Sequence, residues 1–509
     1  MPSADVCVFG ATAGGVVAAV AAAGEGASVV LLNPRTHVGG MLSGGLSRTD
    51  IERQEAVVGG LAREVFARIG AHYGEPLAWR FEPHVAEQVL TSWLAEAGVA
   101  VIDDFELAST DVERRRIRTA SSASGSTAEA GVWIDASYEG DLLAVAGASF
   151  TVGRESRALY GERWAGRREI LPNPHQFRAP VSAVGDDGEV LPGVVGYDSL
   201  GLPGDGDGKV QSYCYRLCLS RAEDRSPLAA PAGYDPQRFT VLTRYFDALS
   251  RHGIPPNLHD AIGISELPNG KADVNSHGPV STNLLGAAWA YPTAGPAARR
   301  AIERAHREWA QGLLHFLATD SSVPGIIADE VGRYGYPADE FAETDGWPHQ
   351  LYVREARRLV GDHVLTESDV LEGRIPGDTV GLGGYNIDIR EVQWVACPIS
   401  RFPDIHEEVL VEGYVSVPVA PYGIPYRSLL PRRSEVENLL VSTCISASAV
   451  AFASFRMEPQ HMIAGHAAGV AAALAARRNV AVHDVDPDDL RTLLEAGGQV
   501  LRPPRATTS

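Results

Sequence analysis

The sequence is short of cysteine and of positive charge, and each shortage excludes classes of protein. Its five cysteines are scattered and never spaced CxxC, which argues against a zinc site or disulfide framework and for buried thiols in a reducing compartment. Lys and Arg number 44 against 64 Asp and Glu, and the net charge of −20 argues against a nucleic-acid or anionic-membrane partner. The motif HExxH is missing, as is a GxSxG following a strand, so no metal and no serine hydrolase is expected.

Long apolar runs are missing as well. The first apolar stretch, residues 16–23, is too short to cross a bilayer. A strand pattern already starts at Asp5, with no apolar leader before it. These features predict a soluble, cytoplasmic protein with a small-molecule substrate. At 509 residues with 45% hydrophobic content, the chain is expected to fold as two or three domains.

The start of the chain carries the pattern of a βαβ unit. Residues 6–9 are typical of a buried strand, 16–23 of an Ala-rich helix ending at Gly24, and 27–32 of a second strand. A strand, a glycine turn, a helix and a strand within about 30 residues are typical of a parallel, dinucleotide-binding unit.

The glycine turn departs from the GxGxxG fingerprint of such units. Gly10 allows the tight turn and Gly15 allows close helix packing, but Thr12 replaces the middle glycine and brings a hydroxyl. Asn33 stands where an acidic residue normally holds a ribose. The turn alone predicts a nucleotide site, with a glycine-rich loop of an unrelated α/β protein as the alternative. The glycine pair at 39–40 favours FAD over NAD, because it lets backbone approach the pyrophosphate and ribityl chain.

The middle of the chain lacks the alternating strand and helix pattern of its start, and this pattern returns near its end. Pro/Gly-rich loops surround a predicted strand at 210–219 and a predicted helix at 295–316. A strand at 438–441 and an Ala/Gly-rich helix at 460–476 follow. The predicted divisions are a first part of the nucleotide domain (1–165), an inserted substrate domain (166–410), the rest of the nucleotide domain (411–479) and an appendage with a frayed tail (480–509).

Seven stretches resemble the bacterial FAD-dependent oxidoreductases related to fumarate reductase and to the glutathione-reductase-type flavoproteins. They are VFGATAGGVVAA (8–19), HVGGMLSGGL (37–46), IDASYEGDLLAVAGASFTVGRES (134–156), VQSYCYRLCL (210–219), PNGKADVN (268–275), LYVREARRLVG (351–361) and FRMEPQHMIAGHAAGVAAALA (455–475). The chain departs from that family at Asn33, where glutamate is usual, at Cys214, where asparagine is common, and at Arg390, where histidine is common.

The resemblance implies an α/β protein with a Rossmann-like FAD-binding domain of the glutathione-reductase type and a large inserted α+β substrate domain. It implies non-covalent FAD, with His37 as a candidate for covalent attachment. A helix expected to start near Gly465 would stabilise reduced FAD with its dipole, although helix–sheet packing also selects its small residues. The implied cofactor residues are Gly10, Thr12, Ala13, Gly14, Gly15, Asn33, Arg35, Gly39, Gly40, Met41, Asp135, Ala136, Ser137, Gly465, His466 and Ala468.

Flavin supplies redox chemistry, so the protein must bind a substrate and move a proton. Arg216, on the predicted strand, is a candidate for binding a substrate oxygen or carboxylate, with an ion pair as the alternative. Arg354 is a second candidate, in a segment whose charges alternate at helical spacing; the alternative is a salt-bridged helix. Asp388 and Arg390 are two apart and would share a strand face, and arginine cannot act as a base at neutral pH.

Two further groups complete the candidate site. Lys271, Asn275 and His277 form a polar cluster in a loop and are predicted to line the substrate pocket. His461 and His466 lie near the predicted start of the late helix and are candidate proton acceptors, with packing or capping as the alternative.

The sequence therefore predicts an FAD-dependent dehydrogenase or oxidase that transfers hydride from a small organic substrate to flavin. One alternative is an NAD(P)H-dependent flavin monooxygenase. Another is a non-enzymatic protein with a degenerate FAD fold, which the changes at Thr12, Asn33 and Arg390 suggest.

Overall fold

A computed structural model describes residues 3–398 and 407–503, apart from the side chains at 52 and 53. The first part of the chain follows the predicted βαβ pattern and then adds an antiparallel extension. Its helices and strands are β1 (Ser3–Phe9), α1 (Ala13–Gly24), β2 (Val29–Leu32), α2 (Gly60–Tyr73), α3 (Pro83–Glu96), β3 (Ala100–Ile102), β4 (Leu107–Glu113), β5 (Arg116–Ser122), β6 (Thr127–Asp135), α4 (Asp141–Val145), β7 (Phe150–Thr151) and α5 (Arg157–Tyr160).

The remaining elements alternate short strands with a few long helices. They are β8 (Val194–Gly196), β9 (Leu217–Ser220), α6 (Thr240–Arg251), β10 (Ile262–Glu266), β11 (Lys271–Ser276), α7 (Pro296–Thr319), α8 (Gly325–Val331), β12 (Arg358–Leu359), α9 (Glu367–Leu371), β13 (Thr379–Gly383), β14 (Ile387–Ile389), β15 (Gln393–Cys397), β16 (Glu408–Glu412), β17 (Val415–Val417), β18 (Tyr422–Pro425), β19 (Leu439–Val441), α10 (Ala449–Phe455), α11 (Glu458–Arg478) and α12 (Pro487–Ala496). Short 3₁₀ turns lie between them.

A parallel sheet organises the nucleotide domain. Its strand order is β3-β2-β1-β6-β19, and β4 and β5 extend it as an antiparallel meander beside the first half of β6. The last strand therefore arrives from residue 439, more than 300 residues after its neighbour. This topology, with the glycine turn after β1, confirms the predicted α/β fold with a Rossmann-like nucleotide-binding domain.

The two faces of this sheet pack against different layers. Val6 and Val8 point toward α1 and α11, whereas Cys7 and Phe9 point toward a second core that includes residues of the meander and α4. Helix α11 lies directly on α1, and its small residues allow this. A Cβ at Gly465 would lie 2.2 Å from the carbonyl oxygen of Gly14.

The predicted insertion builds a separate core. Strands β10, β11 and β9 form an antiparallel sheet. Strands β16, β15 and β8 form a mixed sheet, in which β15 is antiparallel to β16 and parallel to β8, and α6 and α7 pack with both sheets. Strands β13 and β14, by contrast, share the core of α10 and α11. The predicted domain boundaries stay a prediction. The predicted frayed tail lies largely outside the described residues, which end at 503.

Two elements of the insertion differ from the prediction. The strand expected at 210–219 covers only Leu217–Ser220, and the segment before it forms isolated bridges at Tyr213 and Cys214. The helical alternative at 352–357 is wrong: this segment is extended and pairs antiparallel with Cys214 through Tyr352. Alternating charges are compatible with an extended strand as well as with a helix. Here pairing with the segment around Cys214 selects the extended conformation. Among the described residues, no helix is both long enough and apolar enough to cross a membrane.

Candidate functional site

The glycine turn after β1 is held by Thr12. Its hydroxyl caps α1 by accepting a hydrogen bond from the Gly15 amide at 3.0 Å, and donates its own proton to the Ala136 carbonyl at 2.9 Å. Gly10 has φ +103, and a Cβ there would lie 2.8 Å from the Ser137 amide. The loop is therefore fixed by the end of β6, with α1 beginning at Ala13.

A cleft opens above this turn, between the nucleotide domain and the insertion. The nucleotide domain contributes backbone of the turn, Asn33, Arg35, His37, Gly40 and Ser137, and the insertion contributes Tyr291 and the first turns of α7. These α7 residues, Arg299, Arg300 and Glu303, were missed by sequence reasoning because they lie more than 250 residues from the turn.

Asn33 organises the loop after β2. Its amide donates to the Asp103 carboxylate at 2.7 Å and to the His37 carbonyl at 3.2 Å, while its oxygen accepts from the Arg35 amide at 3.1 Å. Asp103 directly follows β3, so this neighbouring strand brings a carboxylate to the sheet edge where Asn33 lacks one. The Arg35 side chain itself is paired with Glu303 at 2.6 Å.

Asp135, Ala136 and Ser137 close the end of β6. The buried Asp135 carboxylate accepts hydrogen bonds from the Ser137 amide and hydroxyl, at 3.0 and 2.7 Å, and from the Leu143 amide at 2.8 Å. Burial raises the pKa of Asp135 to about 6 against the opposing effect of these bonds. Asp135 thus shapes the loop, and Ser137 lines the cleft.

The glycine pair is tied to the start of α11 by Tyr138. The Met41 amide donates to the Tyr138 hydroxyl at 2.9 Å, and that hydroxyl donates to Glu458 Oε1 at 2.7 Å. The Gly39 amide donates to the Ala11 carbonyl at 2.7 Å, which holds the pair against the turn. Gly40 has φ +57, and a Cβ there would lie 2.4 Å from the Tyr138 hydroxyl.

Buried polar atoms without a hydrogen bond cluster at the start of α11, where His461 Nδ1 also lies 3.6 Å from Glu458 Oε1. Glu458 Oε2, both amide atoms of Gln460 and both ring nitrogens of His461 are buried and make no hydrogen bond within the described residues. Such orphans are rare in folded proteins and mark a place where a bound polar group is received. The N-terminal dipole of α11 adds a preference for negative charge. The turn, the glycine pair and these donors and acceptors fit FAD.

Helix α11 corrects one prediction. It begins at Glu458 and not near Gly465, so Gly465 and Ala468 are mid-helix and Gly465 contacts α1. His466 lies between Gly60 and Gln499, with Nδ1 3.3 Å from Gln499 Oε1, and burial lowers its pKa to about 4. His461 is the histidine near the turn: its backbone contacts Gly14.

A second cavity, which we call the arginine–tyrosine cavity, adjoins the start of α11 through Met457. It brings together five of the predicted residues, Arg216, Asn275, Arg354, Asp388 and Arg390. Its other lining residues are Asp50, Tyr352, Tyr385, Tyr414, Ser416, Arg456 and Met457.

Extended backbone explains why these side chains meet. Tyr352 donates its amide to the Cys214 carbonyl at 2.8 Å, and period-two alternation then places Arg354 on the side of Tyr352. Asp388 and Arg390 meet the cavity in the same way at the end of β14. The guanidinium carbons of Arg216 and Arg354 lie 6.0 and 5.1 Å from the Tyr352 ring centroid, which stabilises both cations.

Sequence reasoning missed Arg456 and the three tyrosines. Arg456 follows α10 and pairs with Asp388 at 2.8 Å. The FRMEP stretch that contains Arg456 was part of the resemblance, and an arginine between two apolar residues beside a helix start was the available signal. Tyr385 lies three residues before Asp388, and Tyr352 two before Arg354.

Three predicted residues lie elsewhere. Lys271 is buried in an ion network with Glu82, Asp339 and Glu340, at 2.7, 2.8 and 2.7 Å. Its partners include one of two His/Glu groups with metal-type spacing among the described residues, Glu82–His84–Glu340; the other is His37–Glu87–His349.

His277 and His37 each stack on another histidine. His277 stacks on His259 with ring centroids 4.5 Å apart, and burial lowers its pKa to about 4. His37 stacks on His349 at 3.9 Å and pairs with Glu87 at 2.9 Å, an arrangement that raises its pKa. His37 lines the cleft, and its covalent attachment to flavin stays a prediction.

Comparison with known families supports the same cofactor as the geometry of the cleft. The profile of the family described as FAD dependent oxidoreductase matches residues 5–494. The chain belongs to this family, and FAD is its cofactor. No curated protein is significantly similar to the sequence.

Solved structures are similar over parts of the chain. A 3-ketosteroid-Δ4-(5α)-dehydrogenase from Rhodococcus jostii RHA1 is 15% identical, covers 26% of this chain and 45% of its own, and has a TM-score of 0.19. A flavin-containing monooxygenase from Stenotrophomonas maltophilia is 16% identical, with coverages of 30% and 43% and a TM-score of 0.20. The match thus spans less than half the length of each, and likeness at this level carries no argument about reaction or substrate.

Proposed function

We propose that the protein is an FAD-dependent dehydrogenase or oxidase that oxidises a small organic substrate bound in the arginine–tyrosine cavity. The observation that carries the proposal is the junction of that cavity with the start of α11. Met457 lines the cavity, and its neighbour Glu458 holds Tyr138 and, through it, the glycine pair. FAD, when bound, supplies the acceptor for a hydride.

The residues of the chain would bind the substrate and take its proton. Arg216 and Arg390 offer donors to substrate oxygens, and the tyrosine rings shape the walls. Asp388 is the buried carboxylate of the cavity, and Arg456 holds it in place by donating to Oδ2 at 2.8 Å and to its carbonyl at 2.9 Å. We assign the proton acceptor to Asp388 rather than to His466, which contacts neither cavity.

His461 is the remaining histidine candidate. It lies beside Tyr138, with ring centroids 6.1 Å apart, and its nitrogens are among the orphans at the start of α11. We propose that it contacts the cofactor and not the substrate, because it packs on the glycine turn.

The test is the purified yellow protein, reduced anaerobically with alcohols, polyols, amines, hydroxy acids and amino acids. We expect one class to bleach the flavin, and oxygen or an artificial acceptor to restore it. Bleaching by NAD(P)H, followed by oxygen insertion into a substrate, would favour the monooxygenase. A colourless protein that gains no thermal stability from FAD would overturn both.

Asp388→Asn tests the assigned proton acceptor. We expect the rate of flavin reduction to fall by about 10² to 10⁴, the usual contribution of a positioned base, with KM changed little. Asp484→Asn, the same change at a surface carboxylate that pairs with Arg433, is the matched control and should keep the wild-type rate. A wild-type rate in Asp388→Asn with unchanged pH dependence would remove Asp388 from this role.

A further inference from the structure

The four arginines of the arginine–tyrosine cavity differ in whether a carboxylate pairs with them, and Arg354 is the exception. Arg216 pairs with Asp273 at 2.5 Å, Arg456 with Asp388 at 2.8 Å, and Arg390 Nε lies 3.5 Å from Glu391 Oε2. Within residues 3–398 and 407–503, Arg354 makes no ion pair with a carboxylate.

The contacts that Arg354 does make are with neutral groups. Its guanidinium donates to the Ser212 carbonyl and lies 3.4 Å from both the Cys214 sulfur and the Ser276 hydroxyl. The side chain is only 4% exposed. Burial lowers the pKa of Arg354, and the nearby Arg390 and Arg456 lower it further. An arginine nevertheless stays protonated in proteins, so a buried charge without a counterion is retained here at a cost in stability.

The charge balance of the cavity lining points the same way. Four guanidinium groups face two lining carboxylates, Asp50 and Asp388, and one of these is already paired with Arg456. The Nε atoms of Arg216, Arg390 and Arg456 are also buried and make no hydrogen bond within the described structure. Asp273 and Glu391, outside the lining, pair with Arg216 and Arg390, so the unmet demand lies in these Nε donors and in the Arg354 charge.

The cavity is open to an incoming ligand. Asp50 and Ser416 at its rim are exposed, whereas Arg354 is buried at its base. A planar guanidinium that is fixed by neutral contacts can bind a carboxylate through two parallel hydrogen bonds.

We propose that the substrate is a small organic acid whose carboxylate is held by Arg354, with Arg216 and Arg390 beside it. This inference rests on the proposed function, because the same cavity holds the substrate. It adds the chemical class of that substrate. The acid forms the ion pair that Arg354 lacks, and its remaining part extends toward the start of α11.

The experiment uses the flavin-loaded protein and a matched pair of probes, malonate and its neutral analogue malonamide, at constant ionic strength set with chloride. We expect malonate to raise the melting temperature saturably and to perturb the flavin absorbance, and malonamide to do neither. Arg354→Met should weaken malonate binding by about tenfold or more, since a charge-assisted hydrogen-bond pair is lost. Arg354→Lys, which keeps the charge without the fork, should fall between.

Arg433→Met is the control for loss of an arginine. Arg433 is half exposed and paired with Asp484 at the surface, so this variant should bind malonate as the wild type does. Equal effects of malonate and malonamide on the wild-type protein would overturn the inference, even if no Arg354 variant folds. Wild-type malonate affinity in Arg354→Met would overturn it as well.

Failure here is distinguishable from failure of the proposed function. If neutral alcohols or amines reduce the flavin while malonate neither binds nor competes, the oxidoreductase proposal stands and the acid class is wrong. If malonate binds through Arg354 but no member of the substrate panel reduces the flavin, the acid site stands and the dehydrogenase proposal fails.

Discussion

The cleft and the arginine–tyrosine cavity are built in opposite ways. The nucleotide-domain wall of the cleft comes from short segments that follow strands of one parallel sheet, so its residues lie where a local motif places them. The cavity draws its arginines from four distant segments, at 216, 354, 390 and 456. The cofactor cleft can therefore be read from a local motif, whereas the cavity that we propose for the substrate depends on how the insertion folds.

The largest effect is expected from a substitution at Gly10, where the cleft wall has no space for a side chain. Gly10→Val places a branched side chain where even a Cβ would lie 2.8 Å from the Ser137 amide, at a φ of +103 that valine rarely adopts. We expect the purified variant to contain less than about a tenth of the wild-type FAD, measured by absorbance after denaturation. The control is Gly24→Ala at the end of α1, where nothing lies within 4 Å. Full FAD content in a folded Gly10→Val protein would contradict the assignment of the turn.

A smaller effect distinguishes a structural histidine from a catalytic one. The folded-state pKa of His466, about 4, lies below the ordinary value of 6.5. The neutral form is therefore favoured by folding: its full contribution is present above pH 6.5 and is lost as the pH falls toward 4. Relative to His466→Gln, the free energy of unfolding of the wild type should fall by about 3 kcal/mol over that range. Chemical denaturation across pH checks this, and flavin reduction by the substrate should be unchanged in the variant.

The smallest effect concerns the stability that the protein loses by burying the Arg354 charge in the cavity. Because the Arg354 charge is buried without a carboxylate, Arg354→Met is expected to stabilise the ligand-free protein by about 2 kcal/mol. Denaturant titration without any added acid measures the difference. Arg216→Met leaves the buried Asp273 carboxylate without its ion-pair partner, so this variant should be less stable than the wild type. Destabilisation by Arg354→Met equal to that by Arg216→Met would mean that Arg354 is a structural cation.

The sequence predicted the cleft in more detail than the cavity. The turn at Gly10, the pair at 39–40 and the loop at 135–137 follow strands of the sheet, and period and motif locate them. The helix pattern at 460–476 came within two residues of the start of α11. The helix terminus expected near Gly465 was seven residues late, because small residues selected for contact with α1 were taken as that terminus.

The insertion was harder for a physical reason. Arg354 was singled out, but its segment is extended because it pairs with residues near 214, a long-range contact that alternating charges do not encode. The loop predicted for Lys271 and Asn275 is wrong, because both residues lie in strand β11. Lys271 is buried there among three carboxylates from two distant segments. Arg456 was overlooked because its role depends on Asp388, 68 residues earlier.

The central claim is that the arginine–tyrosine cavity receives the substrate whose electrons pass to FAD. The most direct measurement is anaerobic flavin reduction over a range of concentrations of the most reactive substrate, in the wild type and in Arg390→Met. Our account predicts normal FAD content in the variant and an apparent Kd raised by about tenfold or more. An apparent Kd and a limiting rate both equal to those of the wild type would contradict it.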